Sequence, residues 1–540
     1  MAVDIKTSSG QLIPPPTATN PISTTTIHLE VLLKSETTQR YSRIRALVSS
    51  FIQDNFAALR LNMVICPSSY DDCGSLAQKV ERISVVEIQG PRPTSDIIPV
   101  TKACKFDVHV YELREQVESF APDLELSPVT IDDEGTIAAT VSELPCRNID
   151  GLWESLVFDE DIKHRLLHFM STIMLFSDRQ VNHKIVSWNR IILLHGPPGT
   201  GKTSLCKAIA QKLTIRLSKT FTDGKLVEIS AHSLFSKWFS ESGKLVGKLF
   251  AHIREMMKDD QTLICVLIDE VESLASARQA AAGSTEPSDA LRVVNALLTE
   301  LDKLRSAKNV LILTTSNLID AMDPAFIDRV DVKQYVGLPS TAAIYEILRS
   351  CVLELVRCGL VRLDHDMSSL NGSTEFEIGV GDDDMDTMYN SSRSSSRTSS
   401  SAPSLVDLDC DVSQSVHNSG PRVRRARRMK SHVEELLLGS SLSNEEKIEA
   451  LIPAYSQASL NIYSKPTTYS SHLIRIAQDC KDLGGRTLRR LVVLAHAKYI
   501  HRPLCTVGDL LDALARATEE EQVAQMGVVS SGTQRRNESS

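Results

Sequence analysis

At 540 residues the chain has room for about three domains, each able to bury its own core. Its 42% hydrophobic and 24% charged residues are those of an ordinary globular protein, and no apolar run reaches the length a bilayer-crossing helix needs, so membrane insertion is not expected. With 59 basic against 68 acidic residues the net charge is −9, which gives no general attraction to phosphate backbones; direct nucleic-acid binding is not expected without a local basic patch.

The N-terminus, MAVDIKTSSG, lacks the charged and apolar regions of a signal peptide. The 11 cysteines are scattered, with no C-x-x-C pair, and read as reduced thiols of a cytosolic or nuclear protein with no zinc site indicated. Residues 1–25 are rich in Pro, Ser and Thr and too polar to fold alone. Order begins with TIHLEVLL (Thr26 to Leu33), which alternates at period two. A helical stretch, Arg43 to Phe56, follows, and then LNMVIC, SVVEIQ and KFDVHVYEL suggest further strands. These make a mixed α/β module over residues 26–145.

From Gly151 helical segments alternate with short, continuous apolar strands: RIILLH, KLVEIS, LICVLI, VLILTT and VKQYVG. Apolar runs without alternation mark strands covered on both faces, so residues 151–340 are expected to form a doubly wound parallel sheet, an α/β nucleotide-binding core. Residues 341–362 and 441–520 carry helical periodicity and are expected to form a smaller all-helical domain, a lid. Between them, 363–440 turns acidic and then Ser/Arg-rich, with too few apolar groups to offset its ordering entropy; it reads as a disordered insertion. PRVRRARRMK within it has the composition of a nuclear import signal, although such runs are more often simply solvated. Residues 521–540 are expected to be flexible.

The chemistry is concentrated in GPPGTGKT, Gly196 to Thr203, which lies between a strand and a helix and matches G-x-x-x-x-G-K-[ST]. In that setting the backbone of Gly196, Pro197, Pro198, Gly199, Thr200 and Gly201 folds around phosphates. Lys202 reaches the β/γ oxygens, Thr203 ligates Mg²⁺, and Ser204 opens the helix. LICVLIDE ends a second strand in Asp269 and Glu270, two carboxylates costly to place there unless used: Asp269 for Mg²⁺ ligation through water, Glu270 to polarise the attacking water. Asn317, at the tip of a third strand, has an amide suited to the γ-phosphate or the lytic water, and equally the composition of a turn. Arg329 in FIDRVD and Arg486 in GGRTLRR carry no assignment by themselves. FSKWFSESGK sets Lys237, Trp238 and Phe239 side by side, and the residues alone leave open whether the aromatics belong to a capped core helix or face solvent.

The order of P-loop, Asp-Glu strand, Asn-tipped strand, D-P-A-F-I-D-R and a helical segment with G-G-R resembles an AAA+ ATPase. GLWESLVFDEDIK, HSLFSKWFSESGKLV, IDEVESL and DVKQYVGLPS are similar to the pachytene checkpoint protein 2 family, whose members remodel HORMA-domain proteins. The match is close over Gly151 to about Ser340 and looser in the lid. It implies ATP and Mg²⁺ as cofactors, a homo-hexameric ring, and HORMA-protein substrates presented with a HORMA adaptor to the N-terminal module. It also implies work in the spindle checkpoint and on meiotic chromosome axes, in the nucleus and cytosol. By the same resemblance Asp269 and Glu270 are the Walker B pair, Asn317 is sensor 1 and Arg486 sensor 2. Arg329 becomes a finger entering the neighbouring subunit's site, although many AAA+ relatives carry two closely spaced arginines there, and here Asp328 precedes Arg329 with no second arginine following nearby. Lys237, Trp238 and Phe239 become a substrate-gripping pore loop. The alternative is an AAA+ motor acting on nucleic acid or on another protein, and for nucleic acid the acidic balance is unfavourable.

Overall fold

The computed structural model describes residues 25–115, 139–231, 242–273, 288–362, 444–461 and 468–537, apart from 36, 38, 66, 71–72, 90–96, 102–103, 160, 183 and 306. Longer helices are numbered below in chain order.

The N-terminal module comprises β1 (Thr26–Leu33), α1 (Tyr41–Asn55), β2 (Ala58–Arg60), β3 (Val64–Ile65), β4 (Val80–Gln89), β5 (Ile97–Pro99) and β6 (Lys105–Tyr111). Its main sheet has the order β3-β4-β1-β6, with β1 antiparallel to β4 and parallel to β6. Alternation along β1 sends Ile27, Leu29 and Val31 to one face, where they pack with Val85, Val108 and Val110 and with Ile44, Val48 and Ile52 of α1. His28 and Glu30 point to the other face and are also buried. What covers them belongs to the next domain.

That domain holds β7 (Ala139–Leu144), α2 (Ile162–Asp178), β8 (Ile191–His195), α3 (Lys202–Arg216), β9 (Asp223–Ser230), α4 (Ser242–Met256), β10 (Thr262–Asp269), α5 (Ser288–Leu304), β11 (Val310–Ser316) and β12 (Val332–Tyr335). The sheet order is β12-β8-β11-β10-β9-β7. The five strands from β12 to β9 are parallel, as expected, while β7 runs antiparallel against β9. The expected boundary near residue 145 is therefore corrected: β7, assigned from sequence to the N-terminal module, closes the edge of the second sheet. An exposed β9 edge is a liability, and β7 pairs it from Ala139 to Leu144. Successive strand residues serve opposite cores. Ile191, Val266 and Ile312 pack under α4 and α5, and Ile192, Leu267 and Leu313 under α2 and α3.

The third domain contains α6 (Thr341–Arg357), β13 (Val361–Arg362), two short helices (Asn444–Leu451 and Tyr455–Asn461), α7 (Tyr469–Asp479), α8 (Gly485–Tyr499), β14 (Cys505–Thr506) and α9 (Val507–Asn537). Its core is built from Leu348, Leu473, Leu488, Leu491 and Leu514. Two expectations change here. The domain is not purely helical, because β13 and β14 form a two-residue parallel pair. Nor does the helix stop at residue 520: α9 runs on to Asn537, through Glu521, Gln522, Ala524 and Gln525 and then past Gly527 and Gly532, which propensity alone would not favour.

The N-terminal sheet docks on α3, the helix that begins at the P-loop lysine. Lys212 Nζ donates to Glu30 Oε2 at 2.6 Å and to Glu154 Oε1 at 3.0 Å, Arg216 pairs with Glu87, and Lys219 just beyond the helix pairs with Asp107. Leu32 and Tyr111 add an apolar contact to Ile215. Burial alone would lower the Lys212 pKa; Glu30 and Glu154 outweigh it and raise the pKa. Removing one partner of such a buried pair leaves an uncompensated charge. Lys212→Met is therefore expected to destabilise the protein by about 3–5 kcal/mol, with much of the loss recovered in Glu30→Leu/Lys212→Met. Chemical denaturation of the single and double variants checks this, and equal losses in both would contradict it.

Candidate active site

The site sits at the carboxyl ends of β8, β10 and β11, where a parallel α/β sheet binds its ligands. After β8 the chain turns through Gly196 at φ +144°; a Cβ there would stand 2.2 Å from the carbonyl oxygen of Val336, so glycine is required. Gly201, at φ +94°, forms the N-cap of α3, and Leu156 lies 3.3 Å from where its Cβ would be. The free N–H groups at the start of α3 and its dipole favour an anion, which suits phosphates.

Lys202 Nζ donates to Gly196 O at 2.8 Å, Pro197 O at 2.7 Å and Asn317 Oδ1 at 2.8 Å. Burial lowers its pKa, Glu272 and Asp269 oppose that, and Arg486 adds to the lowering. Asn317 in turn donates from Nδ2 to Glu272 Oε1 at 2.9 Å and from its backbone N–H to the same oxygen at 3.1 Å. The amide orientation follows from chemistry: an ammonium only donates and a carboxylate only accepts, so Oδ1 must face Lys202. Asn317 is thereby fixed between the P-loop lysine and Glu272, a role that a simple turn asparagine would not have.

Thr203 Oγ1 donates to both oxygens of Asp269, at 3.0 and 3.2 Å. Thr315 Oγ1 also donates to Asp269 Oδ1. A hydroxyl and a carboxylate brought together at the start of α3 are the hard oxygen donors that Mg²⁺ prefers, and these two residues would hold it. Glu270 is exposed, with φ +59°; its N–H meets Thr315 Oγ1 at 3.3 Å and the next N–H, of Val271, donates to Thr315 O at 3.0 Å. From the lid, the Arg486 backbone N–H donates to Gly199 O at 3.2 Å, and Gly484 lies so close that a Cβ on it would meet the same oxygen at 3.3 Å. The lid is thus seated directly on the P-loop.

Gly196 to Ser204, Asp269, Glu270, Asn317 and the backbone of Arg486 are brought together at this end of the sheet. Arg329 does not join them. Its guanidinium grips both oxygens of Asp302 at 2.9 Å and the carbonyl of Ala325 at 2.7 Å. Lys237, Trp238 and Phe239 lie outside the described residues, as does the basic run at 421–430. Glu272 was missed by the sequence reading. Its signal was present in IDEVES, where a third acid follows the Asp-Glu pair at a spacing of two.

Lys202→Ala is expected to weaken nucleotide binding about tenfold or more, because a charge-assisted contact is lost from ground and transition states alike. A fluorescent-nucleotide titration checks this; unchanged affinity would remove Lys202 from the phosphate site.

Comparison with known proteins agrees with this geometry. Residues 192–338 match the ATPase family associated with various cellular activities (AAA), residues 22–116 the TRIP13 N-terminal domain, and residues 429–522 the TRIP13-like, AAA+ ATPase lid C-terminal domain. The chain is 45% identical over 498 residues to the human pachytene checkpoint protein 2 homolog, covering 92% of this chain and 93% of that one. It is 39% identical over 493 residues to the Arabidopsis thaliana homolog, covering 89% and 86%. The structure of C. elegans PCH-2 superimposes with a TM-score of 0.59 at 28% identity, covering 92% of this chain and 99% of that one.

Proposed function

The chain belongs to the pachytene checkpoint protein 2 family and is an AAA+ ATPase, and from that premise we propose that it spends ATP, with Mg²⁺, to remodel HORMA-domain proteins as a homo-hexameric ring. The observation that carries this reading is the seating of the N-terminal module on α3: Lys202 at one end of that helix lies in the P-loop, while Lys212 and Arg216 further along hold the N-terminal sheet. A change in phosphate occupancy that moves α3 then moves the docked module with it.

In this reading, Gly196 to Lys202 cradle the phosphates and Lys202 neutralises their charge. Thr203 and Asp269 would hold the metal ion, which would supply charge neutralisation at the phosphates. Glu270 orients and polarises the attacking water, Asn317 is held in place by Glu272 to read the γ-phosphate, and Arg486 reports phosphate state to the lid. Arg329 serves the neighbouring subunit, and Lys237, Trp238 and Phe239 grip the substrate in the ring's pore. The substrate arrives with a HORMA adaptor, in the spindle checkpoint and on meiotic chromosome axes, with the protein in nucleus and cytosol.

The test is the ATPase rate of the full chain with and without a purified HORMA protein and its adaptor, run beside an assay of that protein's conformation. Stimulated turnover together with ATP-dependent conversion supports the reading. Stimulation by single-stranded nucleic acid and none by HORMA protein would replace it with a nucleic-acid motor.

A further inference from the structure

The seam between the N-terminal sheet and α3 contains a group that nucleotide chemistry does not use. His28 on β1 is the register partner of Asp107 on β6, and His109 follows two residues later on the same face of β6. Their ligand atoms converge: His28 Nδ1 stands 3.2 Å from His109 Nε2, and Asp107 Oδ2 lies 3.5 Å from the first and 3.7 Å from the second. Both imidazoles are buried, at 7% and 3% exposure. Among the described residues no other three His, Cys, Asp or Glu side chains bring their ligand atoms so close together.

We propose that His28, His109 and Asp107 form a zinc site that staples β1 to β6 and stiffens the docking of the N-terminal module on the ATPase. Zinc bonds of about 2.0–2.1 Å at tetrahedral angles set ligand atoms about 3.3–3.4 Å apart, close to the three separations found. Two imidazole nitrogens and one carboxylate oxygen suit a borderline-soft ion better than Mg²⁺ or Ca²⁺, which take all-oxygen sets. Without metal the two rings meet through one shared proton, nearly coplanar with centroids 5.5 Å apart, so metal uptake requires both to turn toward the ion.

The surroundings orient the site, and its two nearby cations are each paired with a carboxylate. Lys219 is paired with the other oxygen of Asp107, which fixes the carboxylate as an outer-sphere partner does, and Arg216 is neutralised by Glu87. Three protein ligands leave a fourth position for water. Because Asp107 also carries the ion pair to Lys219, metal at this point ties the sheet to the chain leaving α3.

The experiment uses the full chain, stripped of metal and free of nucleotide, titrated with Zn²⁺ alone by calorimetry and with Co²⁺ by visible absorption. Expected are one zinc equivalent more for the wild type than for His28→Gln or His109→Gln, and a Zn²⁺-dependent rise in Tm that both variants lose. A tetrahedral Co²⁺ spectrum should come from nitrogen and oxygen ligands, without the thiolate charge-transfer band that the cysteines would give. Equal stoichiometry in wild type and both variants overturns the proposal. If the glutamine variants do not fold, the wild-type Co²⁺ spectrum decides alone, and a thiolate-dominated or absent spectrum is equally fatal.

Discussion

Arg329→Ala should lower turnover on the order of a thousandfold while leaving nucleotide affinity nearly intact, the signature of an arginine finger supplied to a neighbouring site. The geometry makes this a sharp expectation. Among the described residues, Arg329 touches Asp302 and Ala325 and nothing in its own P-loop, so its removal takes no contact away from the nucleotide bound by the same chain. The side chain is held by a two-pronged ion pair, which keeps the guanidinium in one orientation at the surface. That pair is partly exposed and therefore adds little to stability, so the variant should melt near the wild type. Mixing separates the readings: mutant subunits acting across an interface poison wild-type partners in proportion to mixed interfaces. Activity that falls only by simple dilution would place Arg329 on an unused surface.

Local patterns in the chain were enough to locate the P-loop, the Asp-Glu pair and Asn317, because each is a short run whose chemistry depends on its immediate strand or turn. Their mutual contacts needed the fold. Asn317 looked no different from a turn residue until Glu272 and Lys202 were found on either side of it. Glu272 sits in a run already singled out, but only the register of β10 beside β11 brings it to the Asn317 amide. The destination of β7 was not legible for a related reason: six alternating residues fit any open edge, and the choice is made by β9, far along the chain. The period-two pattern of β1 put His28 and Glu30 on one face, yet it could not say that Lys212, 182 positions away from Glu30, would bury that face. The course of α9 beyond residue 520 was not legible because Gly527, Ser530, Ser531 and Gly532 are weak helix formers.

Glu270→Gln should bind nucleotide with near wild-type affinity and hydrolyse it at least about a hundredfold more slowly, since general-base catalysis contributes roughly that much or more. The two acids of the strand end are treated differently by their surroundings. Asp269 is engaged by the hydroxyls of Thr203 and Thr315. The Glu270 carboxylate has no hydrogen-bond or ion-pair partner among the described residues and is exposed, which leaves it available to a water molecule. Its backbone sits at φ +59°, a conformation that costs a non-glycine residue about 1–3 kcal/mol and is retained where a side chain must be presented. Thr315 pins that conformation through the N–H groups of Glu270 and Val271. A second variant uses the strain: Glu270→Gly relieves it and should leave stability within about 1 kcal/mol of wild type while losing as much turnover as Glu270→Gln. Single-turnover hydrolysis and a melting curve on the pair distinguish presentation of a base from a structural role. Full activity in Glu270→Gly would show that the carboxylate is not the base and that the strained turn serves something else.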